Sequence, residues 1–214
     1  MAKKGPGPKK VKLLVATRNS GKFREFRHYL AGLGLELVSL KHFPGWKESS
    51  EPFASFEENA RHKALDAYRR TGLMALADDS GLELDALEGA PGARSARFAG
   101  KSASDEENNC KLLRLLKGVP AKKRTARFRC VLALAVSEKQ LKMVEGVARG
   151  FILLKPRGQK GFGYDPLFYE PRVGRTFSEM GVGEKLKVSH RGEALRKLRP
   201  VLKSLAAKLK ARKA

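Results

Sequence analysis

The sequence has few acidic residues, few cysteines and no long apolar run. Its 214 residues include 22 Asp and Glu against 45 Lys and Arg, and two cysteines. No apolar stretch approaches the roughly 20 residues that span a membrane, which argues against a membrane helix. The first ten residues, MAKKGPGPKK, are basic but have no apolar segment, so they are not expected to be a secretory signal. We therefore expect a cytoplasmic protein without a membrane partner.

The two cysteines, Cys110 and Cys130, do not have the spacing of metal ligands. In a chain without an export signal, they are expected as reduced thiols rather than as a disulfide. The hydrophobic content of 42% is ordinary for a globular protein, and the chain is long enough to bury a sizeable core.

The net charge of +23 predicts polyanionic partners, either nucleic acid or small molecules that carry phosphate. Part of the excess lies at the two ends. Residues 1–10 are expected as a basic disordered tail, and residues 201–214 as the basic end of a helix or a tail. Such tails are compatible with weak, nonspecific binding of nucleic acid, which the function does not require. No change of composition divides residues 11–200, which we interpret as one domain.

Apolar periodicity predicts a mixture of strands and helices. The expected strands are 11–17, 35–40, 73–77, 125–137, 140–154 and 167–169, and the expected helices follow residues 22, 55, 104 and 189. Residues 41–54 are expected as a loop, and the runs 125–137 and 140–154 as a long antiparallel hairpin. Asn59 and Lys63 are expected on a solvated or packing face of the second helix.

The segment 17–22 joins the first strand to the first helix. This arrangement directs backbone N–H groups and the positive end of the helix dipole toward the loop, where Lys22 adds a full charge. The segment is not a P-loop, because Ala16 and Phe23 stand where that motif has Gly and Ser or Thr. Both a phosphate site and an ordinary turn fit this segment when it is taken alone.

The segment 73–81 is an apolar run that ends in Asp-Asp-Ser-Gly. Neighbouring side chains of a strand point to opposite faces, so Asp78 and Asp79 can reach one ion only if the strand breaks there. We expect such a break, with one of the two facing a site and the other holding the turn through hydrogen bonds. A double-Asp turn cap without chemistry also fits these residues.

Two later segments combine basic residues with a glycine-rich loop or a helix start. In PRGQKGFGYD (156–165), glycines permit close approach of the backbone to a ligand, and Phe162 and Tyr164 offer flat faces to a base. Ser189 stands at an N-cap position, which places His190 and Arg191 in the first turn of a helix, where anions are favoured. A flexible hairpin loop with one aromatic side chain in the core, and a structural histidine, are the alternatives.

Five segments together resemble the inosine triphosphate pyrophosphatase family, also called XTP/dITP diphosphatases. They are VATRNSGKFREF, SFEENARHKA, ALADDSGLELDALEGAPGARSARFAG, GFGYDPLF and EKLKVSHRGEAL, in the family's order over about residues 11–200. The resemblance implies a mixed α/β fold, with an elongated central sheet flanked by helices and two lobes around an active-site cleft. It also implies a homodimer that uses Mg²⁺ to hydrolyse ITP, dITP and XTP to the monophosphate and pyrophosphate, cleansing the nucleotide pool.

The same resemblance implies roles for individual residues. Asp79 matches the general base and a metal ligand. Glu51 matches a second acidic metal ligand, but Ser50-Glu51-Pro52-Phe53 departs from the family's usual two acids and Thr-Gly, and Glu48 is an alternative. The residues that match substrate contacts are Thr17, Arg18, Asn19, Ser20, Gly21, Lys22, Ser80, Phe162, Gly163, Tyr164, Asp165, Lys185, His190 and Arg191.

These residue types suit the implied reaction. Mg²⁺ is usually held by one or two carboxylates together with phosphates and waters. Lys22 and Lys185 would neutralise phosphate oxygens while a water attacks the α-phosphorus. Arg191 is a donor only, so it can pair with the 6-oxo group of hypoxanthine or xanthine and would leave an adenine amine unpaired.

Three other functions compete with this assignment. A nucleic-acid-binding module fits the net charge but not the acidic residues within the motifs. A related pyrophosphatase for methylated or pyrimidine triphosphates would share the motifs and differ in substrate. A serine hydrolase based on Ser80 and His190 lacks the Gly-x-Ser-x-Gly motif.

Overall fold

A mixed seven-stranded sheet organises the part of the chain that our computed structural model describes, residues 11–47 and 53–211. The strands are β1 (Val11–Val15), β2 (Leu35–Ser39), β3 (Met74–Leu84), β4 (Thr125–Ser137), β5 (Gln140–Ile152), β6 (Phe168–Glu170) and β7 (Arg175–Thr176). Their order is β2-β1-β3-β4-β5-β6-β7. β1 is parallel to β2 and β3, and the later pairings are antiparallel. The predicted mixed α/β fold is confirmed.

The helices of this region are α1 (Ser20–Leu30), α2 (Phe56–Thr71), α3 (Asp105–Leu115), α4 (Val182–Val188) and α5 (His190–Ala211). Short 3-10 helices occupy Leu40–His42, Asp85–Leu87, Gly92–Arg97, Ala121–Lys123 and Phe177–Glu179. The expected N-caps are present: Ser55 begins α2, Ser104 begins α3, and the hydroxyl of Ser189 accepts the N–H of Gly192 in α5. Among the described residues, no helix is both long and apolar enough to cross a membrane.

Helices cover both faces of the sheet, and a further apolar cluster forms the second lobe. α1 and α5 bury one face, through residues that include Phe26, Leu195 and Leu198. α2 buries the other face with Phe56, Ala60 and Ala64. The far ends of β3, β4 and β5 pack with α3 and β6 around Phe128, Phe168 and Phe177. The two lobes therefore meet where β3 passes from one cluster to the other.

β3 does not break at Asp78, and that prediction was wrong. The strand continues through Gly81 because β4 pairs with it throughout, with Asp79 opposite Val131. Gly81 serves close packing rather than a turn, since a Cβ there would lie 2.3 Å from the carbonyl oxygen of Gly92. Asp78 and Asp79 therefore point to opposite faces of a continuous strand.

β1 covers only the first part of the neighbouring edge of β3. Its last paired residue is Val15, opposite Leu76, and the amide of Ala16 then donates to the carbonyl oxygen of Leu76 at 2.8 Å. Beyond this point the edge has no strand partner among the described residues: Lys22 reaches Asp78, and the segment 90–95 covers the edge from Leu82 onward. The loop and the two aspartates are thereby brought together.

α5 extends well beyond residue 200. Leu202 and Ala206 are buried, so the stretch 201–211 contributes to the core on the α1 side of the sheet. α4 was not predicted, because its seven residues carry too little apolar periodicity to show in the sequence. The predicted tail at residues 1–10 lies outside the described residues.

Candidate active site

The loop 17–22 is shaped by its own side chains. Oγ1 of Thr17 accepts the N–H of Asn19 at 3.2 Å, and Oδ1 of Asn19 accepts the N–H of Lys22 at 2.9 Å as the N-cap of α1. These bonds fix the first turn of α1 beside the open edge of β3. The guanidinium of Arg18 donates to the carbonyl oxygen of Trp46, in the loop that follows β2.

Asp78 is the centre of a buried charge network. Its carboxylate accepts hydrogen bonds from Nε of Arg191 at 3.0 Å and from Sγ of Cys130 at 3.0 Å. It also accepts from Oγ of Ser80 at 3.1 Å and pairs with Nζ of Lys22. Burial alone would raise the pKa of Asp78, but Arg191 and Lys22 hold that pKa well below its ordinary value. Asp78 is therefore ionised and holds the two cations in place.

Glu25, on the inward side of α1, joins two buried cations. Its Oε2 accepts from Nη1 of Arg191 at 2.5 Å, and its Oε1 lies 2.9 Å from Nζ of Lys185. Burial opposes ionisation, yet Arg191 and Lys185 lower the pKa of Glu25. Nζ of Lys185 also lies 2.6 Å from Oδ2 of Asp165, whose pKa is raised because burial outweighs Lys185.

The guanidinium of Arg191 is almost completely enclosed, with 1% of the residue exposed. Besides Asp78 and Glu25, it binds Oγ of Ser80, to which Nη2 donates at 2.8 Å. Burial lowers the pKa of Arg191, but Asp78 and Glu25 raise it well above its ordinary value. Most of its donors are thus used within the protein, and few remain for a ligand.

A neutral histidine lies beside these charges. The ring of His190 stacks on Phe128, with centroids 4.6 Å apart and planes inclined by 10°. Burial, Arg191 and Lys185 all lower the pKa of His190 well below its ordinary value. Its buried Nδ1 has no hydrogen-bond partner among the described residues. The imidazole is therefore uncharged, and its Nδ1 can still form a hydrogen bond.

We expect stability to decrease below about pH 6.5 because the unfolded chain protonates His190 and the folded chain does not. The folded pKa is the lower one, so this contribution is complete above about pH 6.5 and is lost as the pH falls, by at most about 1.4 kcal/mol per pH unit. Urea unfolding between about pH 7.5 and 5 should show a shallower pH dependence for His190→Gln. His42→Gln, at an exposed position, should keep the wild-type slope. Identical slopes for all three proteins would contradict the prediction.

Phe162 closes the cavity from the side of α1. Its ring centroid lies 4.5 Å from Nζ of Lys185, and the ring lies against Gly21, where a Cβ would be 2.3 Å from Cδ1. The Tyr164 side chain is different: it is buried, and its hydroxyl donates to the carbonyl oxygen of Ser95 at 2.9 Å. The expectation that Tyr164 offers a flat face to a base was therefore wrong, because its ring belongs to the core.

The cavity between these groups measures about 100 Å³. Sites for small molecules usually measure about 300–1,000 Å³, so a nucleotide has to widen this one. The lining residues are Asn19, Lys22, Ser80, Gly81, Ser95, Ala96, Asp105, Asn108, Phe128, Phe162, Gly163, Tyr164, Asp165, Lys185, His190 and Arg191.

Asp79 lies on the other face of β3, beneath α2. Its Oδ1 accepts from Nζ of Lys63 at 2.7 Å, and its Oδ2 accepts from Nδ2 of Asn59 at 3.3 Å. Lys63 and Asn59 are both buried. Of the two alternatives, the solvated face was wrong: Asn59 and Lys63 are on the buried face of α2, where they bind this carboxylate.

Residues 13–201 match the sequence model of the Ham1 family. The chain belongs to the Ham1 family. It is 50% identical over 195 residues to the dITP/XTP pyrophosphatase of Desulforamulus reducens. That alignment covers 91% of this chain and 97% of the relative. The enzyme of the same name from Geobacter sulfurreducens is 51% identical over 185 residues, covering 86% and 93%. The HAM1 protein structure from Coxiella burnetii has a TM-score of 0.81 at 41% identity, covering 91% of this chain and 99% of that one.

The predicted resemblance is confirmed, and the Ham1 fold gathers most of the predicted site residues around one cavity. Those that line it are Asn19, Lys22, Ser80, Phe162, Gly163, Tyr164, Asp165, Lys185, His190 and Arg191. Thr17 lies on the adjoining loop and Ser20 and Gly21 in the first turn of α1. Arg18 binds the Trp46 carbonyl, and Asp79 lies on the opposite face. Glu51 and Glu48 lie outside the described residues.

The described part of this Ham1 chain offers a divalent cation one suitable carboxylate, that of Asp79. Carboxylate oxygens are hard ligands, and Mg²⁺ is commonly held by one or two of them together with substrate phosphates. Within residues 11–47 and 53–211, no group of three or more His, Cys, Asp or Glu side chains forms a metal site by itself. The residues present fit a cation that shares its ligands with a bound triphosphate.

Sequence reasoning missed Glu25, Cys130, Asn59 and Lys63. Two of these contacts leave a local signal: Glu25 follows Lys22 by three positions, and Asn59 and Lys63 are four positions apart on one helix face. Cys130 lies inside an apolar strand with nothing to distinguish it. Its role depends on the register that places it opposite Ser80.

Proposed function

We propose that this chain hydrolyses dITP, XTP and ITP to the nucleoside monophosphate and pyrophosphate. The observation that carries the proposal is a single cavity lined by three cations, the partly buried Lys22 and the buried Lys185 and Arg191. The names of the relatives from Desulforamulus reducens and Geobacter sulfurreducens, dITP/XTP pyrophosphatase, support the same substrates.

Lys22 and Lys185 bind the phosphate chain. Both ammonium groups lie against carboxylates, of Asp78 and Asp165 respectively. Asp78 offsets the cost of burying Lys22, and Glu25 together with Asp165 offsets that of Lys185. A triphosphate brings oxygens of higher charge density, which take over or share the ammonium groups when the cleft widens.

The phosphates reach Asp79 across the open edge of β3. Asp78 and Asp79 point to opposite faces, yet the edge between them lacks a neighbouring strand from Asp78 onward. A chain of phosphates that crosses this edge can contact Lys22 on one side and approach Asp79 on the other. One substrate could thus contact both Lys22 and Asp79, although they lie on opposite faces of the sheet.

Asp79 orients the attacking water and accepts its proton. Lys63 and Asn59 each hold one oxygen of the carboxylate, which fixes its direction before substrate binds. The water attacks the α-phosphorus, and the leaving pyrophosphate carries its new negative charge beside Lys22 and Lys185. Mg²⁺ bound to Asp79 and the phosphates would supply further charge neutralisation and a more acidic water.

Arg191 and His190 select the base. The 6-oxo group of hypoxanthine or xanthine needs a donor, and the free N–H of Arg191 and the ring N–H of neutral His190 are the donors on this wall. An adenine amine in the same place would leave buried donors unpaired, which binding sites penalise strongly. Phe162 stacks on the base once it leaves Gly21.

The test is a Mg²⁺-dependent hydrolysis panel with dITP, XTP, ITP, ATP, GTP and dCTP, in which pyrophosphate and orthophosphate are measured separately. We expect pyrophosphate release, and a kcat/KM for dITP at least about 100-fold above that for ATP. Orthophosphate release would refute the mechanism. Preference for dCTP would instead support a pyrimidine-directed relative of the same fold.

A further inference from the structure

On α5, all charged side chains that follow Glu193 are positive and exposed. Between residues 194 and 211 the helix contains six Lys and Arg and no Asp or Glu. All six are exposed: Arg196, Lys197, Arg199, Lys203, Lys208 and Lys210. None of them lies in the nucleotide cavity. This surface is therefore separate from the site described above.

Four of these cations form one line, which we call the α5 stripe: Arg196, Arg199, Lys203 and Lys210. At about 100° per residue, the four side chains fall within about 60° of one another around the helix axis. At 1.5 Å per residue, the stripe extends for about 21 Å. That length matches about six steps of 3.4 Å along one strand of a duplex.

Neighbouring elements confirm where the stripe lies. The guanidinium of Arg199 sits 5.8 Å from the ring centroid of Tyr29, near the end of α1. Nζ of Lys210 lies over Gly34, in the turn that follows α1, where a Cβ would be 2.6 Å away. Arg199 and Lys210 thus lie beside α1 and the turn before β2, whereas Arg196, at the start of the stripe, donates to carbonyl oxygens at the end of α4.

Carboxylates do little to neutralise the stripe. Glu193, in the first turn of α5, attracts Arg196 but forms its ion pair with Lys197 at 2.7 Å, and Glu36 of β2 lies 4.0 Å from Lys12. Among the described residues, the four stripe cations take part in no ion pair with a carboxylate. Cations three and four positions apart repel each other on a helix, whereas ordinary helix surfaces alternate the signs.

The helix dipole explains only the last of these charges. Cations near a helix C-terminus are favoured within about the final turn, which accounts for Lys208 and Lys210. Arg196, Arg199 and Lys203 precede that turn. Arg196 donates to the carbonyl oxygens of Leu186 and Lys187, and Arg199 lies over the Tyr29 ring. Among the described residues no carboxylate pairs with these three cations, and a polyanion would supply that negative charge.

The chemistry of the stripe favours nucleic acid over a membrane surface. A helix that binds in the membrane interface needs an exposed apolar face. The apolar side of α5 is already used in the core, where Leu195, Leu198 and Leu202 are completely buried. Residues 194–211 contain no aromatic side chain on which the bases of a single strand could stack, which favours a duplex.

We propose that the α5 stripe binds the phosphate backbone of duplex nucleic acid without sequence preference. Arginine and lysine side chains in a line contact successive phosphates and release counterions, which gives salt-dependent affinity. This inference does not depend on the proposed hydrolysis. It would hold a nucleotide hydrolase close to the polymer whose precursors it acts on.

The experiment compares full-length wild type with two triple variants of equal charge. One is Arg199→Gln/Lys203→Gln/Lys210→Gln in the stripe. The other is Lys117→Gln/Lys122→Gln/Lys123→Gln, which removes three exposed lysines from the second lobe. Binding to a fluorescently labelled 24-base-pair DNA duplex is measured by anisotropy at several salt concentrations, and dITP hydrolysis is measured in parallel.

We expect the stripe variant to bind at least about tenfold more weakly at 0.1 M salt. The slope of log K against log salt should decrease by between about two and three, because each neutralised phosphate contributes about 0.9. The control variant should lose less than about threefold, and both variants should hydrolyse dITP like wild type. Equal weakening of the two variants, an unchanged slope, or tighter binding to vesicles with 25% phosphatidylglycerol than to DNA would each overturn the proposal.

Discussion

Replacing Asp79 with asparagine is expected to reduce kcat for dITP by about 100- to 10,000-fold. The amide keeps the shape of the side chain but cannot accept the proton of the attacking water, and it is a poor ligand for a divalent cation. KM should change less than kcat, because Lys22 and Lys185 remain in the cavity to bind the phosphates. Steady-state kinetics at saturating Mg²⁺ measures both constants.

Asp85→Asn is the matched control for this variant. Asp85 follows the end of β3, and its carboxylate accepts from Oγ1 of Thr125 at 2.6 Å, outside the cavity. We expect its kcat to stay within about twofold of wild type, as for most surface changes. A thermal unfolding curve for Asp79→Asn separates lost chemistry from lost folding. A folded Asp79→Asn protein that keeps a tenth of the wild-type kcat would contradict the assignment.

Replacing Asp78 with asparagine is expected to lower the free energy of unfolding by about 3–5 kcal/mol, because it leaves buried cations without their carboxylate. Arg191 would keep Glu25 but lose its bond to the Asp78 carboxylate, and Lys22 would lose its buried partner. KM for dITP should also increase, since Lys22 and Arg191 are no longer held in position. Urea unfolding and steady-state kinetics measure the two effects.

Glu83→Gln tests whether this cost comes from burial. Glu83 lies on the same strand and pairs with Arg127 at 2.5 Å and with Arg129 at 3.4 Å, in a partly exposed setting. Partly exposed ion pairs contribute about 0–1 kcal/mol, so this variant should lose no more than that. If Asp78→Asn and Glu83→Gln were equally stable, the network around Asp78 would not have the energetic role described above.

Most helices and strands of this protein were predictable from short-range sequence patterns. The hairpin of β4 and β5 and the helix starts at Ser55, Ser104 and Ser189 were all expected. Each depends on periodicity or on hydrogen bonds between residues three positions apart. The break predicted at Asp78 failed because a pairing with β4, more than 50 residues away, overrides the local preference of Asp and Gly for turns.

The candidate site could likewise be predicted only in part from the sequence. The residue types and their order along the chain were sufficient to name the family and most of the lining residues. They could not reveal that Glu25 holds Arg191 and Lys185, or that Cys130 donates to Asp78, because those contacts join α1, β3, β4, α4 and α5. The carboxyl groups become buried only when these elements pack, and that burial, together with the neighbouring charges, shifts their pKa values.

The sequence by itself determined the α/β class, the family and the motifs that carry charge. The tertiary structure decided how those charges are arranged. It placed Asp78 and Asp79 on opposite faces of an unbroken strand, each with its own cation partners, Lys22 and Arg191 on one side and Lys63 on the other. The physical reason is the two-residue period of a β-strand, which separates neighbours in sequence whenever distant strands keep the backbone extended.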